Sequence, residues 1–274
     1  MSTIKQVVQG MPASDGAGVK LKRVLGQPLL QRLDPFLMLD EFGSDDAQDY
    51  IAGFPAHPHR GFQTVTYMLT GKMGHKDSVG NEGVIEDGGL QWMNAGRGII
   101  HEEMPQQTEG KMRGFQLWVN LPASEKMSAP GYQDIKSDAI TETNIGQRSL
   151  ARILAGKLNG IEGAVSTQAV KPQFYDLHLA AGDQVKIETV STHNGFLYVY
   201  EGEISVAGKR LAKNELGVID FSECLELLMQ ADAKAILVSG EPIGEPVEQY
   251  GPFVMNTAQE INQALADFQA GRLA

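Results

Sequence analysis

His57-Pro58-His59 and His101-Glu102-Glu103 place three imidazoles and a carboxylate at i, i+2 spacing within one chain of 274 residues. On a β-strand, residues two apart point to the same face, roughly 6.6 Å apart along the chain. Each triplet can therefore aim two donors at one ion. His57-x-His59 alone also fits an ordinary surface strand; the second triplet turns the pattern into a metal-site candidate with His57, His59, His101 and Glu103 as ligands. Neutral imidazole with carboxylate suits Fe(II) and equally Mn, Co, Ni or Cu. Four protein donors on an octahedral ion leave two positions open, whereas a tetrahedral Zn would be closed and merely structural.

The elements that must carry these donors read as short strands punctuated by glycine: Gln63 to Leu69, Gly114 to Asn120, Gln173 to Leu179 and Gly195 to Tyr200. Gly71, Gly74, Gly80, Gly83, Gly88 and Gly89 crowd the interval between the two triplets and supply turns. The expectation is an all-β chain whose strands close into barrels or double-sheet rolls able to bury a metal. The polar stretch Asp134 to Gln147 marks a junction, giving an N-terminal metal-binding domain over 1–134 and a C-terminal domain over 147–274 without metal. That second part contains no H-x-H and no H-x-E; His178 and His193 stand alone there and read as hydrogen-bonded or surface residues. Thr257-x-x-Glu260 is a capping box, followed by Ile261, Ala264, Leu265 and Phe268 on one helical face and Gly271 as a stop. A short helix should end the chain, docked on a barrel.

Composition narrows the function classes. With 42% hydrophobic residues the chain can bury a large core, and its length favours two domains. No apolar run reaches the length of a spanning helix, and MSTIKQVVQG lacks the apolar stretch of a secretory signal, so a cytoplasmic protein without membrane contact is expected. The single cysteine, Cys224, excludes both an internal disulfide and a thiolate zinc site, and reads as a small hydrophobe. A net charge of −11 argues against direct nucleic-acid binding. Lys20, Lys22, Arg23 and Arg32 form a local basic segment, but Asp34, Asp40, Glu41, Asp45, Asp46 and Asp49 follow at once, as on a solvated face. Gly96-Arg97-Gly98 lacks the third glycine of a dinucleotide loop and reads as the turn before His101. Asp77-Ser78-Val79-Gly80 is no nucleophile elbow, since Lys76 stands where the leading glycine should be. His75 is a candidate for the pocket rim, and Trp92, Met93 and Trp118 either line a ligand cavity or belong to the core.

Gly53 through Gly71, with the H-x-H strand bracketed by glycines, resembles the first cupin motif, and Gly89 through Pro105 resembles the second. More narrowly, HPHRGF, LQWMNAGRGIIHEEMP and FQLWVNLP, with Phe36 to Gly43 and Gly251 to Thr257, resemble the pirin family along most of the chain. Gln63 stands where that family commonly has Glu, Gly89 where it has Asp, and Asn94 where Thr is frequent; none of these removes a ligand. The resemblance implies a bicupin whose second barrel has lost its metal, with Fe(II) first among the ions and Glu103 as the carboxylate ligand. It also implies a quercetin 2,3-dioxygenase, which opens the central ring of a flavonol with O2 and releases carbon monoxide. Glu103 would then both ligate the metal and accept the proton of the enol. The alternative is a non-enzymatic, iron-dependent and redox-responsive module that binds a protein partner, a transcription factor or a metabolic enzyme. A shared fold does not decide between the two.

Overall fold

The computed structural model describes residues 1–165 and 169–273. The chain is built from short antiparallel strands, with one α-helix, Ala258–Gln269, near its end. Among the described residues no helix is long and apolar enough to cross a membrane.

Two compact units divide the chain. The unit that carries the metal motifs comprises Pro12–Arg23, Phe36–Ser137 and Ile243–Ala274. Its larger sheet runs, in spatial order, Gly131–Ile135, Leu90–Asn94, Phe62–Thr70, Met112–Asn120, Phe36–Ser44, Val19–Leu25 and Met11–Asp15. Its smaller sheet runs Phe54–His59, Ile99–Pro105, Met73–Asp77 and Glu82–Ile85. This is the double-sheet roll of a cupin. Val19, Leu21, Phe42, Met68, Met73, Ile85 and Met112 form one apolar cluster at its centre.

The other unit, Met1–Met11, Val24–Pro35 and Asp138–Pro242, repeats the plan strand for strand. Its larger sheet is Thr3–Gln9, Glu215–Asp220, Asn194–Glu201, Ala233–Gly240, Gln173–Leu179, Leu150–Ala155 and Thr141–Asn144, and its smaller one Gln184–Glu188, Cys224–Leu228, Glu203–Val206 and Lys209–Ala212. The chain is therefore a bicupin. The strands that correspond to the two motif strands carry Val185 and Ile187, and Leu225 and Leu227, each fully buried in a large aliphatic cluster. Aliphatic side chains offer no lone pair, so these four positions offer an ion no donor. His178 bonds the Asp176 carboxylate at 3.1 Å and His193 meets the Ser239 hydroxyl at 3.3 Å, as isolated histidines should.

The division departs from the sequential boundaries at both ends. Thr3–Gln9 is the edge strand of the second unit, paired with Glu215–Asp220, and so does not belong to a domain running from residue 1 to 134. The Ala258–Gln269 helix belongs with the metal motifs rather than at the end of a 147–274 domain. In both cases the cause is long-range: apolar burial and an open sheet edge select the partner, whatever the order along the chain. The helix itself starts as expected, with Thr257 accepting from the Glu260 amide and the Glu260 carboxylate accepting from the Thr257 amide. Ile261 and Ala264 are buried with Phe253, Met255 and Leu273. Phe268 lies at the edge of the stripe, 40% exposed.

Other expectations find their places. Lys20 pairs with Asp49, Lys22 with Glu41, and Arg23 with Asp15 and Asp40, so these cations of the early basic segment are already neutralised. Cys224 is a free thiol, half-buried rather than fully so. Trp92 and Met93 are core residues.

Lys126 fastens the turn behind the first motif. It is 1% exposed, and its ammonium donates to the Gly61 carbonyl at 2.8 Å, the Asn120 side-chain oxygen at 2.7 Å and the Val254 carbonyl at 3.0 Å. Burial pushes its pKa down to about 8, which still leaves it charged at neutral pH. Replacement by Met would leave three buried acceptors without a donor. Lys126→Met should therefore lose roughly 2–5 kcal/mol of stability, read as a shift in the denaturant midpoint; an unchanged midpoint would contradict this role.

Candidate metal centre

The Phe54–His59 strand lies at the edge of the smaller sheet, which is why it tolerates Pro55 and Pro58. It pairs antiparallel with Ile99–Pro105, so that His57 faces His101 directly. Beyond that pair the register shifts, with Glu103 set opposite Phe54; such a bulge re-aims the side chains beside it. On its other side the Ile99–Pro105 strand sets His101 against Asp77 and Glu103 against His75.

The three imidazoles converge. One ring nitrogen from each of His57, His59 and His101 lies within 4.8 Å of the other two, and ring centroids are 4.6 to 4.9 Å apart. Among the described residues no second group of three such donors is brought together. His57 Nδ1 sits 2.8 Å from the Pro55 carbonyl, which can only accept, so the proton is on Nδ1 and Nε2 presents a lone pair. That Nε2 is 2.9 Å from Nε2 of His59. His59 and His101 are 2% and 1% exposed, and His59 Nδ1 and both nitrogens of His101 are buried without a hydrogen-bond partner. Imidazole nitrogens brought this close, with those of His101 buried and unpartnered, are costly alone and fit a divalent ion.

Glu103 is placed differently. It is 3% exposed and on the same interior strand, but its carboxylate lies outside the close imidazole grouping. Oε1 is 2.8 Å from the Thr66 hydroxyl, which is also 2.6 Å from Gln116 Oε1, and Gln116 Nε2 donates to Oε2 at 3.3 Å. One hydroxyl proton cannot serve both acceptors. A proton on Glu103 closes the ring: Glu103 donates to Thr66, Thr66 to Gln116 and the Gln116 amide back to Glu103. Burial, opposed by the Thr66 hydrogen bond and by His57 and His75, raises the proton affinity of this carboxyl above the ordinary range. Thr66 lies within Gly53 to Gly71 and Gln116 within FQLWVNLP, yet nothing local marks either as a partner of Glu103; only the pairing of Phe62–Thr70 with Met112–Asn120, which sets Thr66 opposite Gln116, brings them to it.

The remaining candidates surround this group. His75 is 4% exposed, stacks on Tyr132 with centroids 5.4 Å apart, and lies 3.5 Å from Asp134. Trp118 is half-buried and presents its edge to His59 at 5.3 Å, beside Phe62 at 5.0 Å. It lines the centre, whereas Trp92 does not take part. Gln63 is buried with Oε1 unpartnered, and Asn94 donates to Ser128 and the Ala129 carbonyl. Gly96-Arg97-Gly98 forms the turn before the His101 strand.

Burial sets the electrostatics. It lowers the pKa of His101 to about 3, helped by His57 and His75 and opposed by Asp77, and it holds His59 well below the usual imidazole range, helped by His101 and His57. In the unfolded chain both titrate near 6.5. Between those limits the unfolded state binds more protons, so stability rises with pH across the window. The metal-free protein should therefore lose stability progressively as pH falls from about 6.5 towards about 3. Denaturant midpoints across that range should show the fall, and His101→Gln should make it shallower; equal slopes would contradict the assignment.

The Pirin family model matches residues 18–119, and the model of the Pirin C-terminal cupin domain matches residues 174–274. A pirin-like protein of Caulobacter vibrioides is 48% identical over 270 residues, covering 98% of this chain and 98% of its own length. The crystal structure of quercetin 2,3-dioxygenase from Acinetobacter baumannii superposes with a TM-score of 0.92 at 33% identity, covering 100% of this chain and 99% of that one. The bacterial pirin of Escherichia coli in complex with nickel(II) shares the fold, with a TM-score of 0.70 at 18% identity, 88% of this chain and 100% of that one being covered. Both cupin units, the motif strands and the terminal helix fall within these matches, and the chain belongs to the pirin family.

Proposed function

We propose that this protein is a metal-dependent dioxygenase that opens the central ring of flavonols such as quercetin, with O2 as co-substrate and carbon monoxide as a product. The observation that carries the reading is the convergence of three imidazoles, of which His59 and His101 are buried and held neutral, beside a buried carboxyl of raised proton affinity. The likeness to a structure described as quercetin 2,3-dioxygenase supports it. His57, His59 and His101 would hold one divalent ion, Fe(II) first, with Glu103 turning from Thr66 and Gln116 to join them. When bound, the ion supplies a Lewis-acid and redox centre at which an enol oxygen and O2 meet.

The residues of the chain account for the remaining steps. On joining the ion Glu103 would give up its own proton, and as a carboxylate it takes the proton of the flavonol 3-hydroxyl, leaving an electron-rich enolate for O2 to attack. Once protonated it can swing back to Thr66 and Gln116, where a proton on Glu103 closes the hydrogen-bond ring. The edges of Phe62 and Trp118 against His59 exclude water from one side of the centre.

Elemental analysis should find about one equivalent of metal per chain, lost on His57→Ala or His101→Ala. Two equivalents, or retention in both variants, would refute the site. Oxygen uptake with a flavonol tests the chemistry. In Glu103→Gln, which keeps an oxygen donor but cannot take a proton, turnover should fall about a hundredfold or more while metal content falls far less. Activity that merely tracks metal content would make Glu103 only a ligand. An iron-loaded protein that consumes no oxygen with any flavonol would favour the iron-dependent partner-binding module instead.

A further inference from the structure

The turns that lead out of and into the two motif strands are joined by the Gly61 amide donating to the Gly96 carbonyl at 2.8 Å, and the tail adds a second set of ties. After His59 the chain turns at Arg60 and Gly61, and there the Arg60 amide donates to the Pro252 carbonyl at 3.2 Å while the Val254 amide donates to the Arg60 carbonyl at 3.0 Å. The Arg60 side chain, 4% exposed, donates to the Arg97 carbonyl in the turn before the His101 strand and pairs with Asp267 of the terminal helix at 2.9 Å. One guanidinium thus ties both motif turns to the tail.

Two glycines record how closely the tail lies. A Cβ at Gly61, where φ is +87°, would stand 2.0 Å from the Val254 carbonyl oxygen. One at Gly98, where φ is +144°, would stand 2.1 Å from the Leu273 carbonyl oxygen. Val254 also packs with Phe62 and Trp118, the two rings whose edges meet His59. The two rings that meet His59 are thus packed against a residue of the tail.

We propose that the tail segment from Ile243 to Leu273 is a positioning element of the metal centre, with Arg60 and Asp267 as its positioning residues. By clamping the turns at Arg60 and Arg97 together and backing Phe62 with Val254, it holds His59 and His101 at the separation an ion requires. A residue that orients a ligand in this way typically changes metal affinity by about 10–100-fold when removed. The inference rests on the metal reading above.

The test is titration of the full-length, metal-free protein with Co(II), following its visible ligand-field spectrum. Asp267→Asn keeps the shape and removes the charge. It should weaken Co(II) binding about tenfold or more and shift the spectrum of the bound ion, and Asp267→Glu should restore both. A tail with a purely structural role would lower the melting temperature and leave affinity and spectrum of the folded protein unchanged, which would overturn the inference. Val254→Ala, a smaller change at the second contact, serves if Asp267→Asn does not fold, with the same two readouts deciding. Wild-type protein that binds no Co(II) would overturn the metal reading and this inference together, whereas equal binding by wild type and variants would overturn the inference alone.

Discussion

Three imidazoles bring one ring nitrogen each within 4.8 Å of the others, two of the rings being buried, and that crowding is the constraint around which the metal-bearing unit is arranged. A chain does not bury such a group without restraint on every member. His57 is fixed by its bond to the Pro55 carbonyl, and His59 by the edges of Phe62 and Trp118. His101 is set by the register of its strand between two neighbours. These restraints favour neutral rings with a shared focus, the state in which a divalent ion is attractive and a proton is not. The depressed proton affinity of His59 and His101 and the readiness of the cluster for a cation have one cause.

The two units show what a single fold does with opposite interiors. Strand for strand they match, yet where one places imidazoles the other places Val185, Ile187, Leu225 and Leu227. The aliphatic interior supplies hydrophobic stabilisation, and the polar one gives up part of it for chemistry. Some polar groups of the metal unit are organised in pairs and rings, Gln91 with Asp134 at 2.8 Å and Glu103 with Thr66 and Gln116, whereas the nitrogens of His101 and Gln63 Oε1 are buried without partners.

What the chain declares locally could be read from it directly. Donors at i, i+2 spacing, the glycine-rich turns, the alternation of Gln173 to Leu179 and the Thr257 capping box are signals carried within a few residues, and each corresponds to an element of the structure. What it does not declare is pairing at a distance. Nothing near Thr66 or Gln116 marks them as partners of Glu103, since that depends on the register of two strands. Arg60 reads as part of a motif, but Asp267 has no pattern of its own, and the two lie 207 positions apart. The assignment of both termini escaped a sequential reading for the same reason, because no periodicity specifies which open edge a strand will cover.

The edge strand Thr3–Gln9 has a consequence for how the molecule is made. Ser2 hydrogen-bonds the backbone of Cys224, 222 positions later, and the metal unit takes in Pro252, Val254 and Asp267 from the far end of the sequence. During synthesis Thr3–Gln9 must stay unpaired until Glu215–Asp220 has emerged, and the His-x-His turn must wait still longer for its backing. Such high contact order slows folding and leaves sheet edges exposed to wrong partners. Acquisition of a metal would thus follow emergence of the 243–273 segment, because a ribosome-bound fragment ending before residue 243 carries all four candidate donors but none of the contacts that segment makes to their turns.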